Sequence, residues 1–141
     1  MDWKRGQTPL SSGTSGIKTM CLILAAWEKH PVYRLIIASN RDEFLDRPAL
    51  AMHRWENKPG IIAGRDIQAG GTWLGVNLNG RFAGLTNFRD PSSQKKDAPS
   101  RGEIVTDFLE SDLDPAAFLN SRLKPSAEKF NGFNLLAGDE N

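Results

Sequence analysis

The chain has 141 residues, of which 25% are charged and 39% hydrophobic, and its formal net charge is +1. This length suits one domain with an ordinary core, and the near-neutral charge gives no reason to expect nucleic acid or an anionic membrane as a partner. The longest apolar run, CLILAAW, is far shorter than the ~18 residues that a membrane span needs, and the first residues lack the apolar middle of a secretory signal, so a cytoplasmic protein is expected.

The first 19 residues differ in composition from the rest. They are rich in Gly, Ser, Thr and basic residues and show no hydrophobic periodicity, which predicts a disordered extension over 1–19 and a folded domain over 20–141. The junction at Met20 and Cys21 is compatible with a second start codon, a cloning scar or a processing site. The sequence does not choose between them.

The first part of the domain is rich in predicted strands. CLILAAW and VYRLIIAS predict two strands joined by a turn at EKHP, and GIIAGRD predicts another strand, whereas DRPALAMHRWENKP is typical of a loop. GGTWLGVNLNGRFAGLTNF predicts a hairpin, because Asn79–Gly80 supplies the positive φ angles of a tight primed turn.

Helical signals follow this hairpin. Ser100 predicts the N-cap of a helix over RGEIVTDFLES, with Glu103 completing a capping box, and Pro115 after Asp114 predicts the start of a second helix. FNGFNLLAGDEN then predicts one more strand. The order favours an α+β fold with helices packed on a largely antiparallel sheet.

Several conspicuous residues have plain structural interpretations. The aromatic residues are expected in the core, the glycines at a strand bulge or a close packing contact rather than a phosphate loop, and the charged residues on the surface, although a place on a pocket rim is an alternative for them. The aromatic residues are Trp55, Trp73, Phe82 and Phe88. The glycines are Gly70, Gly71 and Gly75, and the charged residues are Arg65, Asp66, Arg81 and Arg89.

Cys21 is the only cysteine, which excludes an intrachain disulfide and a cysteine-based metal cluster. The plain interpretation is a small buried hydrophobic residue. Alternatively, removal of Met20 would make Cys21 the first residue. Its α-amino group, with a pKa of about 7.7–8.0, could then take the thiol proton and leave a thiolate that attacks a carbonyl carbon. Neither histidine, His30 or His53, is needed for this chemistry.

The polar segment SNRDE, residues 39–43, follows the second predicted strand. Because that strand returns antiparallel to the first, hairpin geometry places Asn40 and Asp42 near Cys21. An aspartate can orient a terminal amine, and an asparagine amide can donate to an oxyanion. The alternative for this segment is a solvated turn.

These features together resemble the NRDE family, also described as transport and Golgi organisation protein 2-like. The resemblance rests on Met20–Cys21 opening a strand, SNRDE, GGTWLGVN and NGRFAGLTNF, and it covers residues 20–141. That family is similar to the N-terminal nucleophile (Ntn) hydrolases, which implies an αββα four-layer sandwich of antiparallel sheets. The present chain would contain only the N-terminal portion of that sandwich, as a fragment of a longer product or the product of a truncated gene.

The same resemblance implies the roles of particular residues. It implies that Cys21 is the nucleophile, that Asp42 contacts the terminal amine, and that Asn87, with Asn40, stabilises the oxyanion. Ser39 departs from the arginine of the related acylases, and Arg41 is expected to take part of that space and to bind substrate.

The implied activity is hydrolysis of a non-peptide C–N amide or a related acyl thioester. The expected partner is thus a small-molecule amide or acyl substrate, with no cofactor and no metal. The alternative is a non-catalytic protein on the same fold that handles haem, acyl-coenzyme A or lipid.

Overall fold

The computed structural model describes residues 21–88, 90 and 92–140. The predicted extension, 1–19, and Arg89 lie outside these described residues. The described strands are β1 (Leu22–Trp27), β2 (Leu35–Asn40), β3 (Ala49–Arg54), β4 (Ile61–Asp66), β5 (Leu74–Asn77), β6 (Phe82–Asn87) and β7 (Phe133–Gly138). Helix α1 spans Gly102–Glu110, and helix α2 spans Pro115–Phe118 and continues as a π-helical segment, Leu119–Leu123, and a 3-10 segment, Lys124–Lys129.

Strands β1 and β2 form an antiparallel hairpin in which Leu22 pairs with Asn40 and Trp27 with Leu35. This confirms the first predicted hairpin. The connection spans residues 28–34 and is longer than predicted. The backbone N–H of Glu28, which has a φ of 52°, donates a hydrogen bond to the carbonyl of Arg34 and closes this connection. Inside that connection, Nδ1 of His30 accepts hydrogen bonds from two backbone N–H groups, at 3.2 and 3.1 Å.

The other five strands form one antiparallel sheet in the order β3-β4-β5-β6-β7. The prediction of a loop over DRPALAMHRWENKP was wrong, since β3 occupies its middle. β3 is an edge strand, largely exposed, and the prolines at 48 and 59 lie outside it. Because prolines are typical of loops, the two prolines beside this short, solvent-exposed strand led to the prediction of a loop.

The predicted hairpin around Asn79–Gly80 is confirmed, but its turn type was wrong. Three residues, 78–80, connect Asn77 to Arg81, whose backbones are hydrogen-bonded. Only Gly80 of these three has a positive φ, 74°, so Asn79 does not adopt the primed conformation. This is the geometry of a three-residue loop that ends in a left-handed glycine. The Asn77 side chain stabilises it by accepting from the N–H groups of Asn79 and Arg81.

Helix α1 buries one apolar face against the sheet. Ile104, Val105, Phe108 and Leu109 are each at most 2% exposed, which confirms the predicted face. The predicted capping box was wrong: the helix begins at Gly102, and the Ser100 hydroxyl accepts from the Gly102 N–H at 3.3 Å.

The start of α2 follows the prediction. Asp114 caps it by accepting from the N–H of Ala117 at 2.8 Å, and Pro115 follows as its first residue. Phe118 packs edge-on against Phe108 of α1, with ring centroids 5.2 Å apart. Both helices therefore contribute to one core over the same face of the sheet.

The hairpin β1–β2 lies on the opposite face of the sheet from α1. A Cβ on Gly75 would approach Leu109 of α1 to 3.0 Å, whereas a Cβ on Gly84 would approach Ile23 of β1 to 3.1 Å. Gly84 pairs with Leu74, the neighbour of Gly75, so the two glycines face opposite sides. The fold is thus α+β with antiparallel sheets, as predicted. The four-layer sandwich stays a prediction.

The predicted side-chain environments had mixed outcomes. Trp55 is 1% exposed and in the core, as predicted, but Phe88 is 58% exposed. Asp66 and Arg81 were expected at the surface and are 9% and 8% exposed. The Arg81 guanidinium lies over the Phe108 ring and donates to the carbonyls of Ser111 and Leu113, just beyond the end of α1.

Among the described residues, a bilayer-spanning helix is not found.

Candidate active site

The candidate site lies where β1 begins and β2 ends. Cys21 is half-buried immediately before β1, and its Sγ accepts a hydrogen bond from the backbone N–H of Asp42 at 3.3 Å. Oδ1 of Asn40 accepts from the backbone N–H of Leu22 at 2.8 Å. The polar segment therefore contacts the start of β1 on both sides of the Cys21–Leu22 peptide bond, as hairpin geometry predicted.

A cleft of about 500 Å³ opens beside this contact, and we call it the polar cleft. All five residues singled out from the sequence line it, namely Cys21, Asn40, Arg41, Asp42 and Asn87. Seven of its residues are charged: Arg41, Asp42, Glu43, Arg47, Asp66, Lys96 and Arg101. The structure therefore brings the predicted residues to one site, within a strongly polar environment.

Asn87 reaches the polar cleft from a different part of the chain. It is the last residue of β6, pairs with Phe133 of β7 and is half-buried. Because β1 lies over β6, the end of β6 comes to the same edge of the fold as Cys21. An amide side chain on a strand paired along its length is a well-positioned hydrogen-bond donor.

Arg41 is held in a stack rather than extended into solvent. Its guanidinium lies over the Trp73 ring, 3.9 Å from the centroid. The Trp73 ring in turn lies against Gly64, where a Cβ would come within 2.5 Å of it. This cation–π stack fixes the segment that carries Asn40 and Asp42 against the five-stranded sheet.

Asp66 connects the charged groups of the polar cleft. Its Oδ2 is 2.7 Å from Nε of Arg47 and 3.5 Å from the guanidinium of Arg41. Its Oδ1 accepts from the backbone N–H groups of Gln68 and Ala69, both at 3.0 Å. Glu43 lies 3.9 Å from Arg41 and 3.8 Å from Arg47, so the two arginines share two carboxylates.

The pKa of Asp66 shows the balance of these contacts. Burial raises the pKa of this carboxyl, but the hydrogen bond from Arg47, the N–H groups of Ala69 and Gln68 and the positive charge of Arg47 outweigh burial. The pKa therefore lies below its usual range, and Asp66 is ionised at neutral pH.

Within the part of the chain that the structure describes, no group of three or more His, Cys, Asp or Glu side chains is placed to hold a metal ion. What the cleft does contain is a thiol at a strand start, asparagine side chains at two strand ends and a carboxylate-bearing loop. Such a set can attack a carbonyl carbon and donate hydrogen bonds to the resulting oxyanion.

Comparison with known proteins places the chain in a family. The family model described as "Transport and Golgi organisation 2" matches residues 20–141. The chain belongs to the transport and Golgi organisation 2 family. It is 42% identical over 127 residues to the "Transport and Golgi organization 2 homolog" of Mus musculus, an alignment that covers 85% of this chain and 45% of the relative.

Other relatives in the transport and Golgi organisation 2 family give the same coverage. The human homologue is 41% identical over 127 residues, covering 85% of this chain and 45% of its own. The Drosophila melanogaster protein is 32% identical over 128 residues, covering 84% and 45%. The chain thus spans slightly less than half the length of these relatives. The family resemblance inferred from the sequence motifs is confirmed.

Some residues of the polar cleft were missed by sequence reasoning. Trp73 was expected in the core and Arg47 was not considered, whereas Asp66 was expected on the surface with a pocket rim as the alternative. One signal was present for Asp66: it ends a strand and is followed by IQAGG, a sequence typical of a turn held by an aspartate side chain. Trp73 and Asp66 contact Arg41 because the hairpin β1–β2 packs on the five-stranded sheet. No local sequence pattern predicts that packing.

Proposed function

We propose that this protein is a cysteine N-terminal nucleophile hydrolase that cleaves a non-peptide C–N amide or a related acyl thioester. The observation that supports the proposal best is the contact between Cys21 Sγ and the Asp42 N–H in a cleft that Asn40 and Asn87 also line. The proposal requires that Cys21 become the first residue of the active form, so that its α-amine is free.

In the proposed reaction, the α-amine takes the thiol proton and the thiolate attacks the substrate carbonyl carbon. A sulfur–carbon bond forms, and the oxyanion accepts hydrogen bonds from Asn87 and Asn40. Collapse breaks the C–N or C–S bond, and the leaving group takes the proton from the ammonium. Water then attacks the acyl-enzyme, releasing a carboxylic acid and restoring the thiol.

The remaining polar residues have supporting roles in this proposal. Asp42 orients the α-amine and stabilises its protonated form, while its own N–H holds the sulfur. Arg41 binds a polar part of the substrate from the cleft wall. Its stack on Trp73 limits the entropy that it loses on binding.

We also propose that the fold is an Ntn-type αββα sandwich and that the protein acts in the cytoplasm. The layer order supports the first proposal, since helices, the five-stranded sheet and the hairpin β1–β2 follow one another. The relatives' names refer to transport and Golgi organisation, and a role there is compatible with hydrolysis of an acyl compound.

The test is turnover of a panel of acyl amides and acyl thioesters by protein that begins at Cys21. We expect Cys21→Ala to abolish turnover. Asn87→Ala should lower kcat by about 10²–10³-fold, the usual effect of removing one oxyanion donor. A matched control is Asn120→Ala, because the Asn120 side chain is exposed, accepts a hydrogen bond from Lys124 and does not line the polar cleft.

Turnover that survives Cys21→Ala would overturn the mechanism. Saturable binding of haem or acyl-coenzyme A without turnover, unchanged by Cys21→Ala, would instead favour the non-catalytic alternative.

A further inference from the structure

One wall of the polar cleft is a loop that the proposed mechanism does not use. We call residues 92–101, which lie between β6 and α1 in the chain, the cleft loop. Five of its residues line the cleft, namely Lys96, Ala98, Pro99, Ser100 and Arg101. The cleft loop belongs to no strand or helix, and most of its residues are exposed to solvent. The position of this wall therefore depends on individual hydrogen bonds to other parts of the fold.

Asn131 makes two of these hydrogen bonds, both to Lys95. Its Oδ1 accepts from the backbone N–H of Lys95 at 2.8 Å, and its Nδ2 donates to the backbone carbonyl of Lys95 at 3.0 Å. One planar amide thus pairs with both backbone groups of one residue, as a neighbouring antiparallel strand would. Such a pair fixes the orientation of the loop backbone as well as its distance. Asn131 itself also lines the polar cleft.

The segment that carries Asn131 is fixed to the end of β6. The carbonyl of the next residue, Gly132, accepts from the backbone N–H of Phe88 at 2.9 Å, and β7 then begins and pairs with β6. The same carbonyl accepts from the Arg101 guanidinium at 3.0 Å, which holds the end of the cleft loop to this segment. The Asn131 amide therefore extends from a rigid part of the five-stranded sheet.

The two ends of the cleft loop are held differently. Its end leads directly into α1, which begins at Gly102. Near its start, the Asn131 amide holds the Lys95 backbone, and the Lys95 ammonium donates to the carbonyl of Glu128. An ammonium on a long, flexible stem fixes geometry less well than a planar amide that makes two hydrogen bonds. Asn131 therefore determines where the wall formed by residues 96–100 stands.

We propose that Asn131 is a positioning residue that sets the width of the polar cleft and thereby limits the size of the polar groups that reach Cys21. With the amide in place, only groups that fit the existing cleft approach the thiol. Without it, the cleft loop moves more freely and larger groups gain access. In the hydrolase, Asn131 would limit the size of the polar part of the substrate, and that role rests on the proposed function. The control of access to Cys21 does not.

The test measures access to Cys21 and does not require catalysis. Cys21 is the only cysteine, so intact mass reports alkylation at one site. The two reagents are iodoacetamide and the bulkier N-iodoacetylglucosamine, which are both polar and uncharged and share one reacting group. Their rates on the native 141-residue chain are divided by their rates on the denatured chain. In native wild type we expect the bulky reagent to have the lower normalised rate.

Variants of Asn131 locate the effect. Asn131→Ala should raise the bulky-to-small ratio of normalised rates by about threefold to tenfold, the range that one or two exposed hydrogen bonds can contribute. Asn131→Gln keeps both hydrogen-bonding groups on a longer stem and should restore part of the wild-type ratio. Asn120→Ala is the matched control and should leave the ratio unchanged, because Asn120 is exposed and does not line the polar cleft.

A second variant keeps the test decisive if Asn131→Ala does not fold by circular dichroism. Asn131→Asp has a carboxylate that can accept from the Lys95 N–H but cannot donate to the Lys95 carbonyl, so the ratio should still rise. Denaturant titration of each variant gives its stability. A purely structural role would lower stability and raise both normalised rates equally, which leaves their ratio at the wild-type value.

The outcomes separate this inference from the proposed function. Equal normalised rates of the two reagents in wild type, or a wild-type ratio in every folded Asn131 variant, would overturn the proposal. A raised ratio without turnover of any acyl compound would overturn the hydrolase and keep Asn131 as the residue that controls access to Cys21. Turnover in which Asn131→Ala raises KM and retains kcat would support both.

Discussion

The Asp66 carboxylate joins two separate segments of the chain. It bonds to Arg47 and Arg41 from the segment after β2 and to the N–H groups of Gln68 and Ala69 in its own turn. Two guanidinium groups and two amides satisfy one carboxylate that is almost completely buried. Removing its charge would leave the two arginine side chains beside a neutral group, with weaker hydrogen bonds to it.

We expect Asp66→Asn to lower the free energy of unfolding at pH 7 by about 1–3 kcal/mol, because charged hydrogen bonds to Arg47 and Arg41 are lost. Denaturant titration measures this difference. Asp97→Asn is the matched control, since Asp97 is exposed. A loss no larger than that of the control would show that the network does not stabilise the fold.

The pH dependence of that difference has a definite sign. The pKa of Asp66 is lower in the folded than in the unfolded chain, so its contribution is present above the unfolded value, about 3.9. The contribution is lost as pH falls through the lower folded pKa. The difference in stability between wild type and Asp66→Asn should therefore be constant near neutral pH and shrink in acid below about pH 4.

Single residues could be predicted where their neighbours are close in the chain or are fixed by a hairpin. Asn40 and Asp42 lie beside Cys21 because β1 and β2 pair. The environments of Asp66 and Trp73 could not be predicted, because the guanidinium groups that contact them come from the segment after β2, 19 or more residues earlier in the chain.

At the scale of elements, the packing of α1 on the sheet depends on Gly75. A Cβ at this position would come within 2.8 Å of the Ala63 Cβ and 3.0 Å of Leu109 Cδ1. Both neighbours belong to the buried core, so neither can move freely. The prediction that Gly75 marks a close packing contact agrees with this geometry.

We expect Gly75→Ala to destabilise the protein by about 1–3 kcal/mol through overpacking. Gly60→Ala is the matched control, because a Cβ there meets nothing within 4 Å and the φ of Gly60 is not positive. Thermal or denaturant unfolding of the two variants gives the comparison. Equal stability of Gly75→Ala and Gly60→Ala would mean that α1 is free to shift away from the sheet.

Elements with strong local patterns were predicted correctly. The apolar face of α1, the start of α2 at Asp114–Pro115 and the strands of both hairpins follow from periodicity and turn chemistry. β3 was missed because an exposed edge strand lacks the buried alternation that identifies a strand. In the two hairpin connections, backbone N–H groups donate to the side chains of His30 and Asn77, and composition does not reveal these hydrogen bonds.

At the scale of the whole molecule, the candidate site is built from both sheets. The hairpin β1–β2 supplies Cys21 and Asn40, while the five-stranded sheet supplies Asn87, Trp73 and Asp66. The hairpin packs on the sheet where Gly84 allows Ile23 to approach. This docking produces the polar cleft at the strand ends.

The whole arrangement could be only partly predicted from the sequence. The family resemblance identified Cys21, Asn40, Asp42 and Asn87 as candidate site residues. These four residues line one cleft in the structure. The docking of the hairpin β1–β2 on the five-stranded sheet could not be predicted, because β1 and β6 lie far apart in the chain. Their proximity depends on a sheet-on-sheet contact with no local sequence signal.

The central claim is that the α-amine of Cys21 acts as the base for its own thiol. The most direct measurement compares acyl-thioester hydrolysis by protein that begins at Cys21 with hydrolysis by the same protein carrying one extra glycine before Cys21. Both proteins keep the thiol and the cleft, and only the free α-amine at Cys21 differs. We expect the extra glycine to reduce kcat/KM by at least about 10²-fold, the lower end of a general base's contribution. Equal rates for the two proteins would contradict the claim.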